Sequence, residues 1–322
     1  MTPPPGRRRR ARVVALGGGR GLSSSLSALR LLAVECTAVV SVADDGSSSG
    51  RLRAELGILP PGDFRKALVA LASRDTAGQE MAALFEHRFA AGETLAGHAV
   101  GNLVLAGLFE SLGDPLAALA RASTMVGARG TVLPMAGEPL ELVGRVGGVL
   151  VRGQAALART PGRIDELYLE PPGTAASPEA VEAIRAADAV VLGPGSWFTS
   201  VLPHLMLPDL AKAVAGSRVV LVLNLASGPG ETAGMTAADH VAALARLAPE
   251  VRPAVVLADP SVLGGTVGHE RLRREAESRG GRLVVAPVAG PAGGSEHDAP
   301  SLAAALRSVL ATLLGPDFES TT

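Results

Sequence analysis

The strongest constraint on this chain lies near its start. A short apolar run, residues 13–16, meets the turn Gly17-Gly18-Gly19-Arg20-Gly21, after which leucines recur at positions 22, 26, 29 and 32. Apolar side chains three and four apart fall on one face of an α-helix, so the order reads strand, tight turn, helix. A second apolar run, residues 37–42, leads to Asp44-Asp45 and closes a βαβ unit. Such a unit crosses over right-handed, pairs its strands in parallel and calls for helices on both faces of the sheet. The chain is thereby committed to an α/β fold with a doubly wound, mainly parallel, Rossmann-like sheet.

The rest of the sequence repeats the alternation. Residues 46–50 form a Ser/Gly loop, with a helix expected from Arg51. The turn Pro60-Pro61-Gly62 leads to Asp63, placed to cap a helix that carries Phe64, Ala67, Leu68 and Leu71 on one face. Another helix is expected from near His98 through Asn102. Residues 130–170 change character, and Gly-rich alternating segments at 140–146 and 149–151 predict a small antiparallel insertion. Ser177-Pro178 reads as an N-cap followed by proline at the first helical position. Residues 188–192 read as a strand running into Gly193-Pro194-Gly195-Ser196, and 219–223 as a strand ending at Asn224. Thr236 with Asp239 resembles a capping box, and strands at 255–257 and 283–285 precede a final helix at about 299–314. The expected organisation is a disordered basic tail over 1–11, a single α/β domain over 12–315 and a flexible tail over 316–322.

Composition bounds the function. Hydrophobic residues make up 47% of the 322 positions and charged residues 19%, which is enough apolar surface for a packed core. A formal net charge of −1 argues against nucleic acid as the partner, and the arginines at 7–10 read as a solvated tail. No apolar stretch reaches the ~20 residues of a membrane helix, and no secretory apolar segment follows the arginine run, so a cytoplasmic location is expected. The lone cysteine, Cys36, excludes an intramolecular disulfide or a cysteine metal cluster and reads as core. Aromatics are only 2%, so Trp197 and Phe198, beside a glycine loop, pose the question of ligand stacking.

In open α/β sheets ligands sit beyond the carboxyl ends of the strands, where three loops, 17–21, 193–196 and 224–232, offer suitable chemistry and are expected to converge. Glycine lets phosphate oxygens approach backbone amides, and a helix N-terminus adds partial positive charge. The first loop has Leu22 where a dinucleotide fingerprint needs a third glycine, and no Lys-Ser/Thr of a P-loop follows. Ser196, Thr199 and Ser200 can bind phosphate or ribose, or cap a helix. Asp44 and Asp45 stand where an acidic residue reads ribose, where two carboxylates hold Mg²⁺ through water, or where a strand simply ends in a turn. Arg51, Arg53, Arg65 and Lys66 supply cations after these loops, and Arg65 is the expected phosphate partner. Gly46-x-Ser48-x-Gly50 matches a nucleophile elbow only formally, inside a serine run behind two carboxylates. His98 and His240 have no second ligand nearby in sequence, and no metal signature is present.

Taken together, Leu16-Gly17-Gly18-Gly19-Arg20-Gly21-Leu22, Val42-Ala43-Asp44-Asp45-Gly46-Ser47-Ser48-Ser49-Gly50-Arg51-Leu52-Arg53, Pro61-Gly62-Asp63-Phe64-Arg65, Gly97-His98-x-x-Gly101-Asn102, Leu192-Gly193-Pro194-Gly195-Ser196 and Pro229-Gly230-Glu231-Thr232 resemble the YvcK branch of the YvcK/CofD family. The blocks fall in order over nearly the whole chain. The resemblance implies a CofD-like fold and a UDP-sugar-binding regulator, labelled a gluconeogenesis factor and linked to UDP-N-acetylglucosamine, cell-wall precursor supply and cell shape. It implies no catalytic residue, a protein partner, and a chain free to form a homodimer. The site would comprise Gly17, Gly18, Gly19, Arg20, Gly21, Gly193, Gly195, Ser196 and Thr199 around the diphosphate. Asp44 or Asn224 would read ribose or base, and Arg65 with Asn102 would complete the phosphate or sugar contacts. The sister branch resembles a transferase of a phospholactyl group from a guanosine nucleotide to a deazaflavin; in that reading Asp44 and Asp45 position Mg²⁺. A third reading is a scaffold whose nucleotide is merely structural. Three positions depart from the regulator pattern: Arg20 for Thr, Phe198 for Tyr, and Glu296 for a basic residue before His297-Asp298.

Overall fold

The computed structural model describes residues 9–227, 230–290, 296–315 and 318. The tail expectations therefore lie outside the described residues, except for 9–11 and Phe318. Seven strands form one sheet: β1 (Arg12–Gly17), β2 (Glu35–Val40), β3 (Thr131–Pro134), β7 (Ala189–Leu192), β8 (Val219–Val222), β9 (Pro253–Ala258) and β10 (Arg282–Val285). Their order is β10-β9-β8-β7-β1-β2-β3, and every pairing is parallel. The remaining strands, β4 (Glu141–Val146), β5 (Val149–Arg152) and β6 (Ile164–Glu170), form a separate antiparallel sheet in the order β5-β4-β6.

The continuous apolar runs are explained by burial on both sheet faces. Val13–Leu16, all of β7 and all of β8 are buried, each large aliphatic side chain contributing about 1.5–3 kcal/mol. The Gly19–Leu29 helix turns Leu22, Leu26 and Leu29 into this core and packs on the Pro61–Leu71 and Ala299–Leu314 helices. The Pro178–Ala186 and Pro208–Ala215 helices pack on each other. Cys36 lies in the core, where burial pushes its thiol up to about 12.

Three boundaries differ from the sequence reading. β3 belongs to the main sheet, pairing Thr37 with Thr131, so the antiparallel part covers only 141–170. The helix expected from Arg51 begins at Ser47, so the serine run is its first turn rather than a loop. The Pro61–Leu71 helix starts two residues before Asp63, with Pro60 as N-cap; proline has no N–H to satisfy at the first helical position, which frees Asp63 for other contacts. The capping box at Thr236 and Asp239 forms as read.

The topology positions the site. From β1 the chain moves outward through β2 to β3, then returns to the other side of β1 as β7 and continues outward to β10. The direction of winding thus reverses between β1 and β7, and a crevice opens there beyond the strand ends.

Candidate functional site

The loops after β1 and β7 meet at this reversal. A side chain at Gly21 would overlap the Pro194 carbonyl, and Ser25 Oγ donates to Gly193 O at 2.8 Å, so the first helix is bolted to the second loop. The Gly19–Leu29 helix has Gly18 as N-cap, no side-chain cap and no acidic residue in its first turn. Its leading amides face the crevice as an electropositive end suited to an anion.

A cleft of about 430 Å³ lies over these amides, lined by Gly18, Gly19, Arg20, Gly21, Ser24, Pro194, Gly195, Ser196, Ser200, Glu231, Thr232, Glu296 and His297, with Asn224 to Ser227 at one end. Of the third loop, residues 228 and 229 lie outside the described residues. Asn224 accepts from Gly195 N and donates to Gly195 O, both at 2.8 Å. Its amide is thus committed to shaping the loop rather than free to read a base. Arg20 pairs with Glu296 at 3.1 Å across the mouth of the cleft, and His297 Nε2 lies 3.1 Å from Leu223 O. Gly17, Gly193 and Thr199 stand behind the lining. A second cavity of about 540 Å³ shares the Asn224 to Ser227 wall. It is lined by Leu225, Met235, His240, Val262, Leu263, Val267 and Arg271 among others, between the Ala237–Leu247 and Gly265–Ser278 helices.

Trp197 and Phe198 offer no stacking face to this cleft. Both are buried in the wide helical turn Trp197–Val201, with Trp197 edge-on to His240 at 5.6 Å between ring centres. An aromatic-poor core consumes them. Glu231 is buried against the start of this turn, where its Oε2 lacks a well-formed hydrogen bond. Burial pushes its carboxyl up to about 7, against the nearby N–H groups of Phe198, Trp197 and Thr199.

On the β2 side, outside the lining of the cleft but against its glycine loop, stands a charged group. Lys66 Nζ donates to Asp63 Oδ1 at 3.0 Å, and the other Asp63 oxygen crowds Gly18 so closely that a side chain there would collide with it. Asp44 accepts the Gly46 N–H at 3.0 Å, and burial together with the Asp63 charge pushes it up to about 6. Asp45 turns away: its Oδ1 accepts the Ala155 N–H at 2.7 Å, at the start of the Gln154–Arg159 helix. Asp44 and Asp45 therefore do not form a shared Mg²⁺ site. The convergent carboxylates are Asp44 and Asp63, and among the described residues no three His, Cys, Asp or Glu side chains group to hold a metal.

Arg65 and Asn102 do not line the cleft. Arg65 is buried, donates from Nε to Asn102 Oδ1 at 3.0 Å and pairs with Glu86. Asn102 donates to Ser48 Oγ at 2.8 Å, and Ser48 Oγ lies 2.9 Å from His98 Nδ1. This network joins three of the sequence blocks behind the site. Consecutive helical residues point about 100° apart, so Lys66, not Arg65, meets the glycine loop: its Nζ is 4.0 Å from where a Gly19 side chain would begin. Arg51 and Arg53 are spent on main-chain carbonyls of Thr94, Ala96 and Leu140. The sequence carried one signal for Lys66, its spacing of three from Asp63 on a helix.

Residues 13–283 match the family described as 2-phospho-L-lactate transferase CofD. A Mycobacterium tuberculosis protein, provisionally described as a gluconeogenesis factor, is 47% identical over 313 residues, 94% of this chain and 91% of that protein. The gluconeogenesis factor of Bacillus subtilis is 42% identical over 236 residues, 72% of this chain and 74% of its own length. A crystal structure of a Bacillus halodurans member of the UPF0052 family superposes with a TM-score of 0.83 at 35% identity, covering 92% of this chain and 99% of that one.

Proposed function

Because the chain belongs to the CofD family, within its YvcK branch of gluconeogenesis factors, we propose that it binds a UDP-sugar, UDP-N-acetylglucosamine first among them, and acts as a cytoplasmic regulator linking carbon metabolism to cell-wall precursor supply and cell shape. The observation that carries the binding reading is the uncapped N-terminus of the Gly19–Leu29 helix at the β1/β7 reversal. A diphosphate lies on its amides. The nucleoside extends into the cavity beyond Asn224, and the sugar end turns toward Asp44, Asp63 and Lys66. Ligand occupancy passes to the antiparallel sheet through Gln154, whose Nε2 donates at 3.0 Å to both Thr199 O and Ser200 Oγ. That sheet carries the exposed Val149 and Leu150, a surface fit for a protein partner. A tenfold bias between two partner-binding states needs about 1.4 kcal/mol of differential ligand affinity.

The phosphotransfer reading of the sister branch draws support from the Asp44 and Asp63 carboxylates beside the phosphate cleft. Calorimetry with UDP-N-acetylglucosamine, UDP-glucose, GDP and NAD separates the two. Preferential UDP-sugar binding without turnover, lost in Gly19→Val, supports the regulator. GDP preference with deazaflavin consumption turns the assignment to a transferase, and no binding by the wild-type protein ends the nucleotide reading.

A further inference from the structure

We infer that the Lys66 ammonium stands in place of a divalent cation beside the glycine loop, so that this chain holds a diphosphate without metal. The inference rests on the nucleotide-binding reading above and adds a specificity-determining residue to it. Asp63 presses directly on Gly18 of the loop that is to receive an anion, and Asp44 stands near enough to Asp63 for the two charges to interact. Carboxylates in that position repel phosphate unless a cation intervenes. A bound divalent ion is one solution, and a fixed ammonium is another.

The geometry points to the second. Lys66 Nζ lies 3.0 Å from Asp63 Oδ1 and so already supplies that oxygen with a positive charge. An ammonium and a dication on the same carboxylate face repel each other. One N–H of Lys66 is given to Asp63, and an ammonium has two more to offer to phosphate oxygens. The Lys66 side chain is 29% exposed, open enough for a ligand to reach and sheltered enough for its charge to count. Its Nζ stands 4.0 Å from the side-chain position of Gly19, the residue whose amide begins the anion-binding helix. Arg20, the other cation of this loop, is 82% exposed and paired with Glu296 at the mouth, where it cannot screen Asp63 from within.

Titration calorimetry with UDP-N-acetylglucosamine, UDP and inorganic pyrophosphate, in EDTA and again in excess Mg²⁺, tests the inference on the wild-type protein, Lys66→Met and Lys66→Arg. Wild type is expected to bind with the same affinity in both buffers, within about twofold. Lys66→Met should lose about tenfold or more in EDTA, the size of one charge-assisted hydrogen bond, and recover when Mg²⁺ fills the space it leaves. Lys66→Arg should retain metal-independent binding. A merely structural lysine would not create a Mg²⁺ requirement, and melting curves of the variants separate misfolding from lost binding. Wild-type binding that needs Mg²⁺, or a Lys66→Met protein that binds like wild type in EDTA, overturns the inference while leaving the nucleotide reading intact. Absence of wild-type binding in both buffers overturns that reading and this inference with it.

Discussion

At the scale of single residues, the site depends on which of two neighbouring side chains faces inward. Arg65 and Lys66 are adjacent in sequence, and the forked guanidinium makes arginine the expected phosphate partner, yet Arg65 is spent on Asn102 and Glu86 while Lys66 reaches the glycine loop. Glu231 is the other residue whose environment decides its chemistry. In the unfolded chain its carboxyl titrates near 4.5, and burial moves it to about 7 in the fold. The folded state then holds the proton more tightly, so the stability this provides is complete below about 4.5 and is lost as pH rises through about 7. Glu231→Gln mimics the protonated form. Its melting temperature should match wild type near pH 5 and exceed it increasingly toward pH 8, whereas a constant gap would show that Glu231 is charged throughout. Asp44, raised to about 6, titrates in the same interval, so the variant flattens the wild-type decline rather than abolishing it.

At the scale of elements, local periodicity made the first βαβ unit, the Thr236 capping box and the antiparallel insertion legible, because each rests on residues within a few positions of one another. β3 was not legible as a main-sheet strand: its four residues adjoin the Gly-rich insertion, and only pairing with distant β2 assigns them. The Trp197–Val201 turn escaped notice for a related reason, since nothing in its composition separates a buried wide turn from an exposed aromatic platform. Asp45 shows an element depending on a remote residue. Its carboxylate accepts the Ala155 N–H and steadies the start of the Gln154–Arg159 helix. Asp45→Ala should cost about 1 kcal/mol in denaturant unfolding, as loss of a helix cap does. It should also speed proteolytic cleavage within 153–160, and an unchanged cleavage rate would mean that the insertion docks without it.

For the whole molecule, the class of fold could be read from alternating apolar runs, but the order of strands could not, because adjacency in a parallel sheet is settled by crossovers that leave no mark on local sequence. For the site, the convergence of its three loops follows from their common place at the strand ends and the cleft brings them together, while the separate places taken by Arg65 and Asn102 belong to tertiary packing. The reversal between β1 and β7 has a mechanical corollary. One edge of the crevice comes from the chain before residue 135 and the other from the chain after residue 188, joined through the antiparallel sheet. A ligand lying on both loops is therefore a rivet between two sequence halves. At a hundredfold excess over its dissociation constant it adds about 2.7 kcal/mol to the intact fold. After a single protease cut in the antiparallel sheet, the ligand should keep the two fragments co-eluting under denaturant concentrations that part them when it is absent.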